Sequence, residues 1–521
     1  MLTRILRCGT TSMKRPSTLL YLLALTLVPI VVLSLIVLAA YRHLVRLLLV
    51  LRHGDKFGGM FEGADMVWAI QEKEWRSILS IILVLESDTK MDMRDRLRKI
   101  AEERVFHTTD YPKLSSTRHH FLGYTYMLRN TYTAEEGISL LKIPENKPFD
   151  ESALNEVASE VCNSPLDKED TAMWALLVSP IPLAQKNEGK YLYPIILRFS
   201  HAVGDGVTYV SFLIKIFSNG SISSYLQDHL KKAYANSEQS AANWYTVLKD
   251  GVSKFVNFAY FLFIFLGLSI YHHSLRDFDK HELHGRILTG DKIATWSCEE
   301  TAGLVPTVRR IKNRVPGGKF SSVVLTALSA SLTDFFKRNR FDTPERITLA
   351  APLVLSYRLI FAEGPIPLTN NFSMVIFPLD TVRSTLIDTM QKTIDQSELL
   401  STLPDPKAMM LFQYISGVIP MPLLKKLLTI PGVTMCVSNV PATSKLQVFD
   451  QCNLKHIVFF PQHREKLGLS VGICTYDDRF QIGLMVDKAL ISSPQEAQKI
   501  TDDVFKYIRQ LDLETNRMYP N

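Results

Sequence analysis

The chain has 521 residues, a formal net charge of +7 and an isoelectric point near 8.9, which gives room for two lobes with a cleft between them. The basicity is spread along the chain, which excludes a nucleic-acid-binding block and suits an anionic membrane face or a phosphate-bearing substrate. The six cysteines show neither CxxC spacing nor a compact framework, which argues against a disulfide scaffold or a zinc site and for reduced thiols.

Residues 1–17 read as an N-terminal tail, and 18–41 as a transmembrane anchor. From Thr18 to Tyr41 there is no charge, and the apolar run is about long enough to cross a ~30 Å hydrocarbon layer. It exceeds a signal-peptide core and ends in Tyr41, Arg42 and His43 rather than in small residues. Arg4, Arg7, Lys14 and Arg15 on one side are matched by Arg42, Arg46, Arg52 and Lys56 on the other, so charge leaves orientation open. LVRLLLVLR, within residues 42–55, is expected to lie along the interface as a separate amphipathic helix.

Strand-length apolar runs (ILSIILVL, YLYPIILRF, RITLAAPLVLSY, FSMVIFPL, HIVFF, LGLSVGICTY, FQIGLMV) alternate with helix-like stretches such as SSVVLTALSASLTDFFKRN and PQEAQKITDDVFKYIRQLDLE, an α/β pattern. A second apolar run, Phe255 to Tyr271, falls inside a membrane-associated segment and linker of residues 251–284. If it crossed the bilayer, the parts on either side could share no cleft, so it is expected to dip in without crossing; a buried interlobe helix is the plainer reading. This divides the soluble part into lobes of residues 56–250 and 285–521.

The chemistry concentrates in RFSHAVGDGVT. Gly204 and Gly206 favour a loop after a strand ending near Phe199, which places His201 at a strand end. An imidazole there is suited to take a proton from an alcohol, and Asp205 to brace the loop. Ser200 points to the opposite strand face from His201, which excludes a Ser-His-Asp triad. HHSLRD (His272 to Asp277) spells a similar pattern but lacks both a preceding strand and a following glycine. RHHFLG (His119, His120) lacks the Asp, and HELH (His281 to His284) lacks further metal ligands. Trp68 and Trp174 read as core aromatics, and Asn371 and Asn439 as turn residues.

Several stretches, taken together, resemble the wax ester synthase/diacylglycerol acyltransferase (WS/DGAT) family of CoA-dependent acyltransferases, whose signature is HHxxxDG. FEGADMVWAI resembles the opening motif, PLDKEDTAMW keeps Trp174, and SHAVGDG keeps His201, Asp205 and Gly206 with Ser200 in place of the first His. KFSSVV places Ser321 and Ser322 where Asn and Asp are usual. APLVLSYR ends at Arg358, LTNNFSMVIFPL contains Asn371, and CVSNVPATSKL keeps Asn439 and Pro441 with Ala442 for Gly.

The resemblance implies a two-lobed, chloramphenicol acetyltransferase-like fold with a channel between the lobes. It implies His201 as the base that deprotonates a lipid alcohol for attack on an acyl-CoA thioester, and Asp205 paired with an arginine, with Arg358 the candidate. Ser321 stands where an oxyanion donor is usual. Acyl-CoA is implied as co-substrate with no cofactor or metal. The acceptor is a long-chain alcohol or diacylglycerol. The location implied is a membrane, at the endoplasmic reticulum or plasma membrane, with the catalytic part cytosolic. A catalytically degenerate lipid-binding or scaffold protein on the same fold is the alternative. Acceptor identity, acyl length and oligomeric state are not encoded in these motifs.

Overall fold

A computed structural model describes residues 18–70, 77–185, 188–217, 251–271, 279–354, 365–428, 432–441, 445–448, 452–463 and 467–520. HHSLRD, Arg358, Ala442 and Cys8 lie outside the described residues.

Helix α1 (Thr18–His53) is 36 residues long, about 54 Å at 1.5 Å per residue. It continues past Tyr41 unbroken, so residues 42–53 are not the separate interfacial helix expected from the sequence. Helical spacing explains the arrangement. Ala24, Val45 and Leu49 are buried, and Val28, Val31, Val32 and Leu35 pack against the first core. Leu25, Ile30, Leu33, Leu44, Leu47, Leu48 and Leu51 are exposed. One stripe of the helix thus docks on the body while the other stays bare.

The first lobe is built on a six-stranded sheet. In spatial order its strands are β12 (Gln447–Val448), β13 (Cys452–Phe460), β2 (Ile78–Ser87), β7 (Tyr191–Ser200), β6 (Trp174–Val178) and β5 (Ile138–Leu140). A small sheet of β1 (Phe57–Met60), β4 (Tyr124–Leu128) and β3 (Thr117–Phe121) adjoins α1.

The second lobe carries another six-stranded sheet. Its order is β10 (Phe372–Asp380), β9 (Arg346–Val354), β11 (Met435–Pro441), β14 (Leu469–Tyr476), β15 (Arg479–Asp487) and β8 (Lys292–Cys298). Helices α5 (Phe320–Arg338) and α8 (Pro494–Met518) pack together over it. The seven apolar runs singled out in the sequence each supply a strand of these two large sheets; the last three residues of RITLAAPLVLSY lie outside the described residues.

The boundary expected between residues 250 and 285 does not separate the lobes. Strand β13 pairs antiparallel with β2, Ile457 opposite Leu83, inside the first lobe's sheet. HIVFF is apolar enough for either sheet, and only β2's free edge decides which it joins. Residues 405–428 also leave the second lobe: Ala408, Phe412, Ile419 and Leu424 belong to the first core.

Where the sheets meet, Gly472 faces Gly483 across β14 and β15. A Cβ built on either would lie within 2.8 Å of the Phe459 carbonyl oxygen of β13. The absent side chains let the two sheets approach face to face.

The second apolar run forms helix α4 (Gly251–Ile270), packed against α1 and against helix α6 (Asp405–Ser416). Phe265 stacks on Phe412 with ring centroids 4.4 Å apart, while Phe255, Val256 and Tyr260 at the other end are exposed. By length and composition α1 is the one described helix fit to span a bilayer, and α4 is shorter in its apolar part.

Candidate active site

Strand β7 runs antiparallel to β2 and ends at Ser200, placing His201 in the turn that leads into helix α3 (Gly206–Phe217). The His201 amide donates to Ser77 O at 2.7 Å, which fixes the turn to the neighbouring strand. Its ring is 4.4 Å from the Trp68 ring, nearly parallel, and 5.6 Å from Phe372. Trp68 ends helix α2 (Gly63–Trp68), and Phe372 begins β10 of the other lobe. Trp68 and Phe372 are 5.8 Å apart, so the imidazole completes a three-ring cluster with one aromatic from each lobe, and the residue is only 7% exposed. Trp68, expected to be a core aromatic, is buried but stands against the candidate base.

Ser200 and His201 meet different neighbours. The Ser200 hydroxyl accepts a long contact from Arg118 Nη1 at 3.4 Å, and Tyr209 donates to the Ser200 carbonyl at 3.0 Å. The alternation of side chains along β7 accounts for this.

Asp205 is almost fully buried. Its Oδ1 accepts the Thr208 amide at 2.9 Å, as an N-cap does for α3. Its Oδ2 accepts the Asn371 amide at 2.7 Å. Burial raises its pKa, the two amides lower it, and the charge of Asp65 raises it further, leaving it above the ordinary carboxylate value. Among the described residues its partners are backbone amides, and Arg358, the arginine expected from the sequence, lies outside them.

A second bridge escaped the sequence reading. The Lys113 ammonium lies 2.6 Å from Asp65 Oδ2 and donates to the carbonyls of Ala202 (3.1 Å), Val203 (3.2 Å) and Leu368 (2.6 Å). Asp65 Oδ1 accepts the Asn370 amide at 3.1 Å and its side-chain amide at 2.8 Å. That same Asn370 Nδ2 donates to His201 O at 2.7 Å. So Asn370, not Asn371, sends its side chain to the His201 turn. Nothing in YPKL marks Lys113 in advance; its partners lie 48 to 255 positions away in sequence.

Gly206 closes the turn against the other lobe. A Cβ placed on it would stand 3.0 Å from Val440 Cγ2 of β11. The glycine of SHAVGDG and the valine of SNVP are thus neighbours across the seam.

Residues 368–509 match the WS/DGAT C-terminal domain family. The protein is an acyltransferase with a WS/DGAT C-terminal domain. The match begins at Leu368, whose carbonyl binds Lys113.

In fold, the acyltransferase is similar to a wax ester synthase/diacylglycerol acyltransferase from Marinobacter aquaeolei VT8. The TM-score is 0.58 at 12% identity, covering 88% of this chain and all of that one. It is similar too to a trichothecene 15-O-acetyltransferase from Fusarium sporotrichioides, with TM-score 0.52, 10% identity, and 86% and 95% of the two chains covered. The epimerization domain of the third module of tyrocidine synthetase B gives TM-score 0.50 at 11% identity, with 89% and 98% covered. These likenesses establish the two-lobed CoA-dependent acyltransferase and condensation-domain fold. Curated protein sequences give no match.

The other residues singled out in the sequence take these places in the acyltransferase. Trp174 is a core residue whose Nε1 donates to Leu114 O at 2.8 Å. Ser321 sits half-buried in the first turn of α5, and no hydrogen bond among the described residues joins it to the His201 turn. Ser322 instead caps α5, accepting the Lys319 amide at 2.9 Å. Asn439 is exposed on β11 opposite Ile473, and Pro441 ends that strand.

His281 lies 3.2 Å from the Thr434 hydroxyl and 3.6 Å from Asp279, so HELH ties the linker to the second lobe. Burial, with the charges of Arg118, His119 and Lys425, lowers the pKa of His120 to about 4. Among the described residues no group of three His, Cys, Asp or Glu is placed to hold a metal.

Proposed function

We propose that the protein is a membrane-associated O-acyltransferase that moves a fatty acyl group from acyl-CoA to a lipid alcohol. A long-chain alcohol gives a wax ester, and diacylglycerol gives triacylglycerol. The observation that carries this reading is the position of His201, just after β7 with its ring against both Trp68 of one lobe and Phe372 of the other.

In the proposed reaction the alcohol O–H passes its proton to the His201 imidazole as the oxygen attacks the thioester carbonyl. The C–S bond then breaks, and the leaving CoA sulfur recovers the proton from the imidazolium. No acyl-enzyme is needed. Asp205, Lys113 and Asn370 act by fixing the turn on which His201 sits. Low exposure keeps competing water from the thioester. Helix α1 supports membrane residence, where lipid alcohols partition, and a cytosolic catalytic part, at the endoplasmic reticulum or plasma membrane, would meet acyl-CoA.

The test is ester formation by the full chain in lipid nanodiscs, with a panel of acyl-CoAs and alcohols, for wild type and His201→Ala. General base loss predicts a fall of roughly 10²- to 10⁴-fold. If wild type makes no ester that His201→Ala fails to make, the lipid-binding alternative on the same fold stands instead.

A further inference from the structure

An apolar and basic surface beside α1 has no part in this chemistry. The turn between β3 and β4 is wedged between the middle of α1 and helix α7 (Met421–Leu428). On one side Tyr41 donates to Leu122 O at 3.3 Å. On the other the Met421 amide donates to Gly123 O at 2.7 Å. The Tyr124 hydroxyl spans both, 3.4 Å from Leu38 O and 2.8 Å from Val418 O. Tyr41 and Arg42 end the uncharged run of α1, where a spanning helix meets the headgroup layer. These contacts therefore set α7 at that level.

The sequence of α7, MPLLKKLL, divides by helical spacing. Leu424 alone is fully buried. Leu423 and Leu427, four residues apart on one face, are 45% and 39% exposed, and Leu122 at the turn is 49% exposed. Lys426 lies on the same outer arc and is exposed. Leucines flanked by an ammonium on a long aliphatic stem fit a lipid surface, with the stem among the chains and the charge at the phosphates.

We propose that α7 and the Leu122 turn form a second membrane contact, which seats in the headgroup layer of an anionic bilayer beside the exit of α1. The contact rests on the membrane reading of α1 given above. It turns a tether into a two-point attachment and so fixes the tilt of the catalytic body.

The test places a fluorescent amino acid singly at Leu33, Leu423 or Leu513 in the full chain, in phosphatidylcholine vesicles with and without phosphatidylserine. Quenching by lipids brominated near the headgroup or along the acyl chain is read. The label at Leu423 is expected to lose fluorescence to headgroup-brominated lipid when phosphatidylserine is present, and Lys426→Glu to reduce that loss. The exposed Leu513 on α8 should not respond. An unquenched Leu423 with a quenched Leu33 overturns the second contact and keeps the anchor. If both are unquenched, the membrane reading fails with it.

Discussion

Asp205 Oδ2 accepts the backbone amide of Asn371 at 2.7 Å, and through this bond the turn carrying His201 is tied to the residue that leads into β10 of the opposite lobe. The carboxylate works as a brace with both oxygens occupied, the other by the Thr208 amide. Asp205→Asn retains one acceptor oxygen and turns an NH₂ toward one of these donors. A loss of about 1–3 kcal/mol is expected from the buried amide left unmatched. Thermal unfolding and esterification rate should fall together, and an unchanged melting temperature would contradict the brace.

Lys113 binds Asp65 and three carbonyls with both side chains 13% exposed. Lys113→Met leaves a nearly buried carboxylate without its cation, which costs on the order of 3–5 kcal/mol. The double variant Lys113→Met/Asp65→Asn should recover part of that stability without recovering activity, because the carbonyls of Ala202 and Val203 stay unbound. Denaturant unfolding of wild type, Lys113→Met, Asp65→Asn and the double variant measures the coupling.

Gly206 and Val440 touch across the seam, so Gly206→Ala forces a methyl to 3.0 Å from Val440 Cγ2. Overpacking of this kind costs roughly 1–3 kcal/mol. Val440→Ala opens the space, and in the Gly206→Ala/Val440→Ala chain the Gly206 penalty should shrink. Additive losses in this double-mutant cycle would show that the two residues do not meet.

Asp279 joins the interlobe linker to the second lobe. Burial raises its pKa, but hydrogen bonds from His281, the Thr348 amide and hydroxyl, and the Thr434 hydroxyl outweigh this and hold it at about 2. Its folded pKa lies below its unfolded value of 3.8. Its stabilisation is therefore present above the unfolded value and lost as pH falls through the folded one. Asp279→Asn should cost about 2 kcal/mol at neutral pH. The gap to wild type should narrow between about pH 4 and pH 2; a constant gap in denaturation midpoints over that range would argue against the charge.

The reading of His201 and Asp205 as a loop pair at a strand end needed only neighbours in sequence: an apolar run, two glycines and a second apolar run. The same holds for α1, whose uncharged run is visible by composition. The extension of α1 to His53 was less legible, since LVRLLLVLR fits a separate interfacial helix as well as a continuation. Docking of Val45 and Leu49 on the body resolves it.

Across the cleft legibility falls. LTNNFS shows two adjacent asparagines, and only the approach of β10 to the His201 turn assigns the side chain of Asn370 and the amide of Asn371. Ser321 carried weight as a motif position, yet its helix is anchored in the second core.

The sequence by itself determined the strands, the long apolar helix and the chemistry on offer at residues 201–206, because apolar periodicity, glycine and side-chain type act over a few residues. Only the tertiary structure decided that HIVFF joins the first lobe, that Lys113 supports the His201 turn, and that Trp68 and Phe372 hold the ring. Those outcomes depend on surfaces far apart in the chain meeting in one place, where burial removes water and each polar group must find its partner in the protein.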